Sequence, residues 1–143
     1  MMDTDRSAQL EAPPQLLIID DEPIIGKRLQ HAFGKVGLNA LIFTSPQAAM
    51  EAMNKESFNV VITDFRMKGM DGLEVFRQVK QLNQKTKVII ISGSASPETV
   101  DTAFQEGVFD FLVKPFRLDE LKSSVSRAME EIKGEDGGGI PAC

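Results

Sequence analysis

The sequence predicts an α/β protein, a three-layer sandwich in which helices cover both faces of a central parallel sheet. Short apolar runs of strand length alternate five times with stretches whose apolar residues recur at helical spacing. The connections between them are too short for anything but right-handed parallel crossovers. The first of these runs, Leu16–Ile19, is an uninterrupted apolar segment, as expected for a strand buried on both faces. This periodicity leaves the order of the strands in the sheet open.

Five segments have the composition of buried strands and are bounded by turn residues. The first is followed at once by acidic residues, and the third ends where Asp64 begins a loop-like segment. The predicted strands are, in chain order, Leu16–Ile19, Asn39–Phe43, Val60–Thr63, Lys87–Ile91 and Phe109–Val113.

Proline and serine mark the starts of several helices. Pro23 and Pro97 stand at the first positions of the first and fourth helices, and Ser45-Pro46 supplies a cap followed by proline. We interpret Asp71-Gly72 as a turn before the third helix, which the pattern extends from Gly72 to Leu82.

Gly37 and Gly107 are predicted to end the first and fourth helices, because glycine readily takes the left-handed conformation that closes a helix. Each helix should place one apolar face on the sheet. The residues expected on these faces are Ile25, Leu29, Ala32, Phe33 and Val36, then Ala48, Ala49, Ala52 and Met53, then Leu73, Phe76 and Val79, then Val100, Ala103 and Phe104, and finally Leu118, Leu121, Val125, Ala128, Met129 and Ile132.

The 143 residues fit one domain with a sizeable core. We expect a flexible leader at residues 1–15, the folded domain at 16–133, and a flexible tail or truncated linker at 134–143. No apolar run is long enough to span a membrane, and no secretory signal is visible. The only cysteine is Cys143, which excludes a disulfide framework within the chain and is typical of a cytoplasmic protein.

The charge balance argues against direct nucleic-acid binding. The net charge is −5, and the Lys and Arg residues form no cluster. If the protein controls transcription, we therefore expect it to act through a partner or a further domain.

Polar side chains follow four of the predicted strands. They are Asp20 and Asp21 after the first strand, Asp64 after the third, Ser92 after the fourth and Lys114 after the fifth. The carboxyl ends of parallel strands share one edge of the sheet, with about 4.8 Å between neighbours, so these residues can converge. Three close carboxylates repel one another and favour either a bound proton or a cation. Oxygen ligands without His or Cys suit Mg²⁺, with Mn²⁺ as the alternative.

A metal ion, an ammonium group and a hydroxyl together suit the stabilisation of phosphoryl oxygens. Each residue also has an ordinary interpretation. Asp20 and Asp21 suit a helix N-terminus, Asp64 suits a turn, Ser92 suits a turn or a helix entry, and Lys114 suits a solvated surface. Their combination in this order and spacing favours the chemical interpretation.

The sequence resembles the receiver domains of bacterial two-component response regulators from about Leu16 to Lys133. The motifs that carry the resemblance are Asp20-Asp21 after Leu-Leu-Ile-Ile, Asp64 in Thr-Asp-Phe-Arg-Met-Lys-Gly-Met-Asp-Gly, Ser92-Gly93, and Lys114-Pro115-Phe116. The resemblance implies a flavodoxin-like fold with strand order 2-1-3-4-5 and a cis Lys114–Pro115 peptide bond. It also implies a signalling domain that is not an enzyme beyond its own phosphorylation and dephosphorylation.

By the same resemblance, Asp64 is the phosphoacceptor. Its phosphoryl donor would be a phosphohistidine of a sensor histidine kinase or of a phosphotransfer protein. Asp21, Asp64 and the backbone carbonyl of Arg66 would bind Mg²⁺ directly, while Asp20 would act through a water molecule.

The resemblance assigns Ser92 and Lys114 to the phosphoryl oxygens. Phe111 takes the position of an aromatic switch residue that turns inward when Ser92 moves, although a plain core position is the alternative.

Phosphorylation adds up to about two negative charges, and the fourth helix, fifth strand and fifth helix would transmit the change. The expected receiver of the signal is a downstream protein partner or a missing effector domain, with a phosphorylation-dependent homodimer through the same face as a further expectation.

Two residues depart from the family pattern. Lys68 stands where a proline is usual, and Arg66 lies two residues after Asp64, where the residue type influences the lifetime of the acyl phosphate. An aspartyl phosphatase resembling the haloacid dehalogenase group would need an aspartate in place of Arg66. A flavin-binding protein would need a phosphate loop in place of Asp20-Asp21-Glu22. A degenerate receiver, which binds partners without phosphorylation, remains as the alternative function.

Overall fold

The computed structural model describes residues 15–138, with the side chains of residues 15–134. Within this part of the chain, strands and helices alternate as the sequence predicts. The strands are β1 (Leu16–Ile19), β2 (Ala40–Phe43), β3 (Val60–Asp64), β4 (Lys87–Ser92) and β5 (Asp110–Val113). The helices are α1 (Pro23–Gly34), α2 (Pro46–Lys55), α3 (Gly72–Leu82), α4 (Pro97–Glu106) and α5 (Leu118–Gly138).

The strands form one parallel sheet in the order β2-β1-β3-β4-β5. Ile19 lies opposite Thr63, and Ser92 lies opposite Val113, so the carboxyl ends of β1, β3, β4 and β5 are nearly level. The flavodoxin-like order implied by the resemblance is confirmed. The Lys114–Pro115 peptide bond is cis, also as expected.

Alternate side chains of the strands contribute to two hydrophobic cores, one on each face of the sheet. Leu16 and Ile18 pack with α1 and α5, whereas Leu17 and Ile19 pack with α2, α3 and α4. All four are at most 1% exposed. Full burial of one such side chain contributes about 1.5–3 kcal/mol, so the central strands are firmly anchored on both faces. The polar residues at their carboxyl ends therefore stand on a rigid base.

Side-chain caps define where helices begin. The Ala48 N–H donates to Ser45 Oγ at 3.3 Å, which confirms the predicted cap of α2. Asp71, interpreted from the sequence as part of a turn, instead caps α3. Its Oδ1 accepts from the Glu74 N–H and its own N–H donates to Glu74 Oε1, each at 2.9 Å. This reciprocal capping box holds the first turn of α3 in place.

Two helix ends differ from the sequence-based expectation. Helix α1 ends at Gly34, and Gly37 instead forms the turn that follows, with a left-handed φ of +84°. Helix α5 continues past Gly134 to Gly138, beyond the expected end of the folded domain at residue 133. Each added helical residue gains a backbone hydrogen bond, and a glycine costs only about 1 kcal/mol relative to alanine. The rest of the predicted leader and tail lies outside the described residues.

Three residues predicted to face the core are exposed: Val36, Phe104 and Leu118. Val36 lies beyond the end of α1, in the turn. Phe104 is on α4, where Ala103 is the buried residue of the helix. Helix α4 packs over the edge strand β5, so its buried face is narrow. Leu118 is the first residue of α5 and precedes the part of that helix that covers the sheet. None of the helices within residues 15–138 is both long and apolar enough to cross a membrane.

Candidate functional site

Three carboxylates meet at the carboxyl edge of the sheet. Asp20 and Asp21 follow β1, and Asp64 is the last residue of the neighbouring strand β3. One carboxylate oxygen from each lies within 4.8 Å of the others. Asp20 is only 6% exposed and the Asp64 side chain 13% exposed, whereas Asp21 faces solvent. The structure thus brings together the three acidic residues singled out from the sequence.

Backbone N–H groups hold the carboxylates of Asp20, which is buried, and of Asp64, which is partly buried. The Glu22 N–H donates to Asp20 Oδ1 at 2.8 Å, and the Phe65 N–H donates to Asp64 Oδ1 at 3.1 Å. The buried Thr63 hydroxyl donates to the Asp64 carbonyl oxygen at 2.9 Å. Sequence reasoning did not identify Thr63 as part of the site, because a threonine within a strand carries no local signal for such a contact.

Burial raises the pKa of both Asp20 and Asp64 above the usual value for a carboxyl group. The Glu22 N–H lowers the pKa of Asp20, and the Asp64 charge raises it. For Asp64, the Lys114 ammonium is the largest opposing influence, while the Asp21 charge raises its pKa further. Burial together with mutual repulsion therefore makes the cluster favourable for a proton or a cation.

Lys114 supplies the positive charge at this edge of the sheet. Its Nζ lies 3.7 Å from Asp64 Oδ1, which is an ion pair without close hydrogen-bond geometry. The Lys114 N–H donates to the Ser92 carbonyl at 2.7 Å, and this bond holds the ends of β4 and β5 together. The position of Lys114 relative to Asp64 thus depends on the sheet itself.

The Ser92 side chain is buried at the end of β4 but bonds to the loop that follows. Its hydroxyl donates to the Ser94 carbonyl at 2.6 Å and accepts from the Ser94 N–H at 3.2 Å. The hydroxyl is therefore engaged by the backbone of its own loop. This partner was not predicted, because short side-chain bonds within a Ser/Gly-rich loop depend on the loop conformation.

Phe111 belongs to the hydrophobic core on the face of the sheet that α2, α3 and α4 cover. It is 8% exposed, and its ring centroid lies 6.1 Å from that of Phe65, with a tilt of 48°. Phe65 directly follows Asp64, so the two rings connect β5 to the start of the loop after Asp64. This burial agrees with the core interpretation, and the switch role of Phe111 stays a prediction.

The two residues that depart from the family pattern lie on the loop between β3 and α3. Arg66 and Lys68 are both exposed, so the structure places their side chains at the surface and outside the buried part of the acidic cluster. Their charges make this loop basic next to three carboxylates.

A family model for the response regulator receiver domain matches residues 16–126. The chain belongs to this family. Receiver domains are the signalling domains of two-component systems. In this receiver, the acidic cluster has the all-oxygen donor set that suits a hard divalent cation.

Relatives of this receiver include two bacterial regulators. The C4-dicarboxylate transport transcriptional regulatory protein DctD of Rhizobium meliloti is 33% identical over 122 residues, which cover 85% of this chain and 26% of that protein. The DNA-binding transcriptional regulator NtrC of Klebsiella pneumoniae is 36% identical over 116 residues, which cover 81% of this chain and 25% of that protein. The chain thus spans about a quarter of the length of these relatives.

Solved structures agree with the fold. A response regulator receiver domain protein from Clostridium thermocellum superposes with a TM-score of 0.79 at 27% identity, covering 85% of this chain and 98% of that chain. NtrX from Brucella abortus, solved in complex with ATP, also gives a TM-score of 0.79, at 28% identity. That match covers 87% of this chain and 28% of NtrX.

Proposed function

We propose that this receiver accepts a phosphoryl group on Asp64 from a phosphohistidine of a sensor histidine kinase or phosphotransfer protein. The observation that carries the proposal is the position of Asp64 among Asp20, Asp21 and the Lys114 ammonium, at the carboxyl edge of the sheet. In the transfer, an Asp64 carboxylate oxygen forms a bond to phosphorus while the phosphorus–nitrogen bond of the donor breaks. The imidazole leaves with the electron pair. The cytoplasm remains the expected compartment.

The acidic cluster suits Mg²⁺, with Mn²⁺ as the alternative ion. Asp21, Asp64 and the backbone carbonyl of Arg66 would hold the ion directly, and Asp20 would act through a water molecule. When bound, the ion neutralises negative charge that would otherwise repel an incoming phosphoryl group. The raised pKa of Asp20 and of Asp64 supports this assignment. Burial and mutual repulsion disfavour the charged forms of these carboxyl groups, and a bound cation stabilises those forms.

The residues of β4 and β5 respond to the new charge. The Lys114 ammonium moves from its ion pair with Asp64 to a phosphoryl oxygen, which requires little displacement from its present 3.7 Å contact. The Ser92 hydroxyl leaves its bonds to Ser94 and donates to another phosphoryl oxygen. Because Ser92 precedes α4 and Lys114 follows β5, both movements act on the same side of the domain. Phe111 would follow Ser92 as the aromatic switch.

We assign signal output to the α4-β5-α5 face. One large apolar side chain from each of these elements is exposed: Phe104 at 45%, Val113 at 48% and Leu118 at 41%. Exposed apolar side chains on neighbouring elements suit a protein partner better than solvent. The partner would be a downstream protein, an effector domain such as a full-length regulator carries, or a second copy of the receiver.

Phosphorylation of the purified chain tests the proposal. The protein is incubated with acetyl phosphate and Mg²⁺, and its mass is measured before and after treatment with hydroxylamine, which cleaves acyl phosphates. Wild type should gain one phosphate that hydroxylamine removes, and Asp64→Asn should gain none. If wild type gains no phosphate from acetyl phosphate or from phosphoramidate, the proposal is wrong and the phosphorylation-independent receiver becomes the better assignment.

Structural switching has a separate test. Beryllium fluoride with Mg²⁺ mimics the phosphoryl group on an aspartate, and amide NMR signals report the response. The signals of Ser92 and Phe111 should shift when the complex forms, together with those of α4. Unchanged signals at both residues would refute the switch while leaving the phosphoacceptor role intact.

A further inference from the structure

Gly72, the first residue of α3, contacts the backbone of the phosphoacceptor strand directly. A Cβ atom built on Gly72 would lie 3.1 Å from Phe65 Cα, 3.2 Å from the Asp64 carbonyl oxygen and 3.3 Å from Ile90 Cγ2. These separations are shorter than ordinary van der Waals contacts of 3.4–4 Å, so any side chain at this position must displace a neighbour by a few tenths of an ångström. The Gly72 N–H donates to the Phe65 carbonyl at 2.8 Å, which holds the two segments in this close approach.

Position 72 needs a glycine because its surroundings leave no space for a side chain, and not because its backbone conformation excludes other residues. The left-handed glycines in the described residues are Gly37, Gly69 and Gly107, and Gly72 is not among them. Its backbone is one that any L-residue can adopt. The close approach to Asp64 and Phe65 is therefore what the missing side chain permits.

The neighbours of Gly72 have little freedom to give way. The Phe65 N–H donates to the Ile91 carbonyl at 2.7 Å, and Asp64 pairs with β4 in the sheet. Ile90 is fully buried, and the capping box at Asp71 fixes the start of α3. Added volume at Gly72 must therefore shift either the Asp64–Phe65 backbone or the first turn of α3.

The displaced groups are those that orient the Asp64 carboxylate. The Phe65 N–H donates to Asp64 Oδ1, and the Thr63 hydroxyl donates to the Asp64 carbonyl. The carbonyl oxygen is thus restrained by a hydrogen bond from Thr63 and by the close approach of Gly72. A shift of a few tenths of an ångström here changes where the carboxylate oxygen meets phosphorus.

We propose that Gly72 is a positioning residue for Asp64: its missing side chain lets α3 close on the Asp64–Phe65 backbone and holds the carboxylate in line for phosphoryl transfer. The proposal rests on the proposed phosphorylation of Asp64. It extends that function to Gly72, which approaches the Asp64–Phe65 backbone and would act on the Asp64 carboxylate only through that backbone.

Gly72→Ala tests the proposal with two matched controls. Val79→Ala opens a buried site two turns further along α3, and so loosens the packing of the same helix away from Asp64. Gly34→Ala adds the same methyl group where, apart from the adjacent residues and the backbone of its own helix, no described atom lies within 4 Å. The rate of phosphorylation by acetyl phosphate and Mg²⁺ is measured per folded molecule, well below the melting temperature of each variant.

Because small misplacements of reacting groups are costly, Gly72→Ala should phosphorylate about tenfold more slowly than wild type. Val79→Ala should lower the melting temperature and keep a rate within about twofold of wild type. Gly34→Ala should also keep a rate within about twofold of wild type, with a melting temperature equal to or above that of wild type, because alanine favours the helix over glycine. A Gly72→Ala rate within about twofold of wild type would overturn the proposal, as would an equal loss in Val79→Ala. If wild type itself gains no phosphate, the proposed function fails instead.

Thr63→Val provides the test if Gly72→Ala does not fold. It removes the opposing hydroxyl bond to the Asp64 carbonyl while nearly conserving the side-chain volume. A slower rate in folded Thr63→Val, with shifted amide signals at Asp64 and Phe65, would support control through the Asp64 backbone. An unchanged rate in folded Thr63→Val would overturn control through the Asp64 backbone, whether or not the amide signals shift.

Discussion

Ser92 and Ser94 are joined by two hydrogen bonds in the loop after β4: the Ser92 hydroxyl donates to the Ser94 carbonyl at 2.6 Å and accepts from the Ser94 N–H at 3.2 Å. This arrangement satisfies the buried hydroxyl without any contribution from a phosphoryl group. A phosphoryl oxygen must therefore compete with an existing partner, and the loop must change conformation when Ser92 changes partner. Because the loop leads directly into α4, its conformation is coupled to the proposed output face.

We expect Ser92→Ala to separate phosphorylation from switching. The variant should still form the Asp64 phosphate, because it retains the acidic cluster and Lys114. It should lose most of the beryllium fluoride-induced shift at Gly93 and in α4, measured by amide NMR. Ser94→Ala is the control, since it keeps the backbone groups that bond to Ser92. Wild-type shifts in Ser92→Ala would contradict the role given to the hydroxyl.

Lys114→Met should slow phosphorylation and raise the pKa of Asp64 further. The Lys114 ammonium opposes the effect of burial on that pKa, so its removal leaves the burial effect less compensated. Loss of one stabilising donor at the phosphoryl group should lower the rate by about a hundredfold. Carboxyl carbon NMR measures the pKa, and acetyl phosphate kinetics measure the rate. Lys122→Met on α5 is the control. An unchanged Asp64 pKa in Lys114→Met would show that the ion pair does not influence this pKa.

The raised pKa of Asp20 predicts how stability depends on pH. A carboxyl group whose pKa is raised by folding binds its proton more tightly in the folded protein. Its contribution to stability is therefore complete below the unfolded pKa of about 3.9 and is lost as the pH rises through the folded value. Without Mg²⁺, Asp20→Asn should raise the melting temperature at pH 7 by a few degrees. The gain should shrink as the pH falls toward 4, because a growing fraction of Asp20 is then protonated in wild type.

The control for this prediction is Asp101→Asn, which changes the same charge at an exposed position on α4. Melting is followed by circular dichroism at 222 nm for each variant and wild type at the same pH values. A gain for Asp20→Asn that stays constant from pH 7 to pH 4 would show that charge burial is not its cause.

Divalent cations should stabilise wild type through the acidic cluster. A ligand that binds only the folded state adds about 2.7 kcal/mol to the free energy of unfolding when present at 100 times its dissociation constant. We expect Mg²⁺ and Mn²⁺ to raise the melting temperature of wild type and to have little effect on Asp21→Asn. Chelation with EDTA should abolish phosphorylation by acetyl phosphate, and added Mg²⁺ should restore it. Equal stabilisation of Asp21→Asn would place the ion elsewhere.

A group of hydrogen-bonded side chains joins β5 to α5, and it includes none of the three residues of the acidic cluster. The fully buried Ser124 hydroxyl donates to Asp110 Oδ2 at 2.7 Å, and Arg127 Nη2 lies 3.3 Å from the same oxygen. Ser124→Ala should lower the free energy of unfolding by about 1–3 kcal/mol, because it removes a buried bond to a charged group. Arg127→Met should cost no more than about 1 kcal/mol, because its side chain is 57% exposed and screened. Urea unfolding measures both, and a larger cost for Arg127→Met would reverse this ranking.

Much of the fold follows from local patterns. Uninterrupted apolar runs such as Leu16–Ile19 predict buried strands, and Ser45-Pro46 predicts a helix start, because both signals depend only on neighbouring residues. The capping box of Asp71 and Glu74 was also present as an acidic residue followed three positions later by glutamate. We interpreted Asp71-Gly72 as a turn, since the same dipeptide favours both structures.

The polar residues Asp20, Asp21, Asp64, Ser92 and Lys114 were likewise visible as a set, because each one interrupts an apolar run at a strand end. The order of the strands in the sheet cannot be predicted from any of these apolar runs. It depends on which segments pack together, and here it was implied by family resemblance and confirmed by the sheet. The same limit explains Phe104, whose helical spacing matches a buried face although α4 packs over an edge strand and leaves it exposed.

The conformation of individual loops and the contacts between elements account for the remaining features of the site. The Ser92 hydroxyl bonds to Ser94 because of the path of one loop, and Gly72 touches the Asp64 backbone because α3 closes on β3. Residue types and spacing predict which chemical groups lie at an edge of the sheet, because neighbouring residues determine where a strand ends. Separations of tenths of an ångström, and the choice among competing hydrogen-bond partners, arise only when all the layers pack against one another.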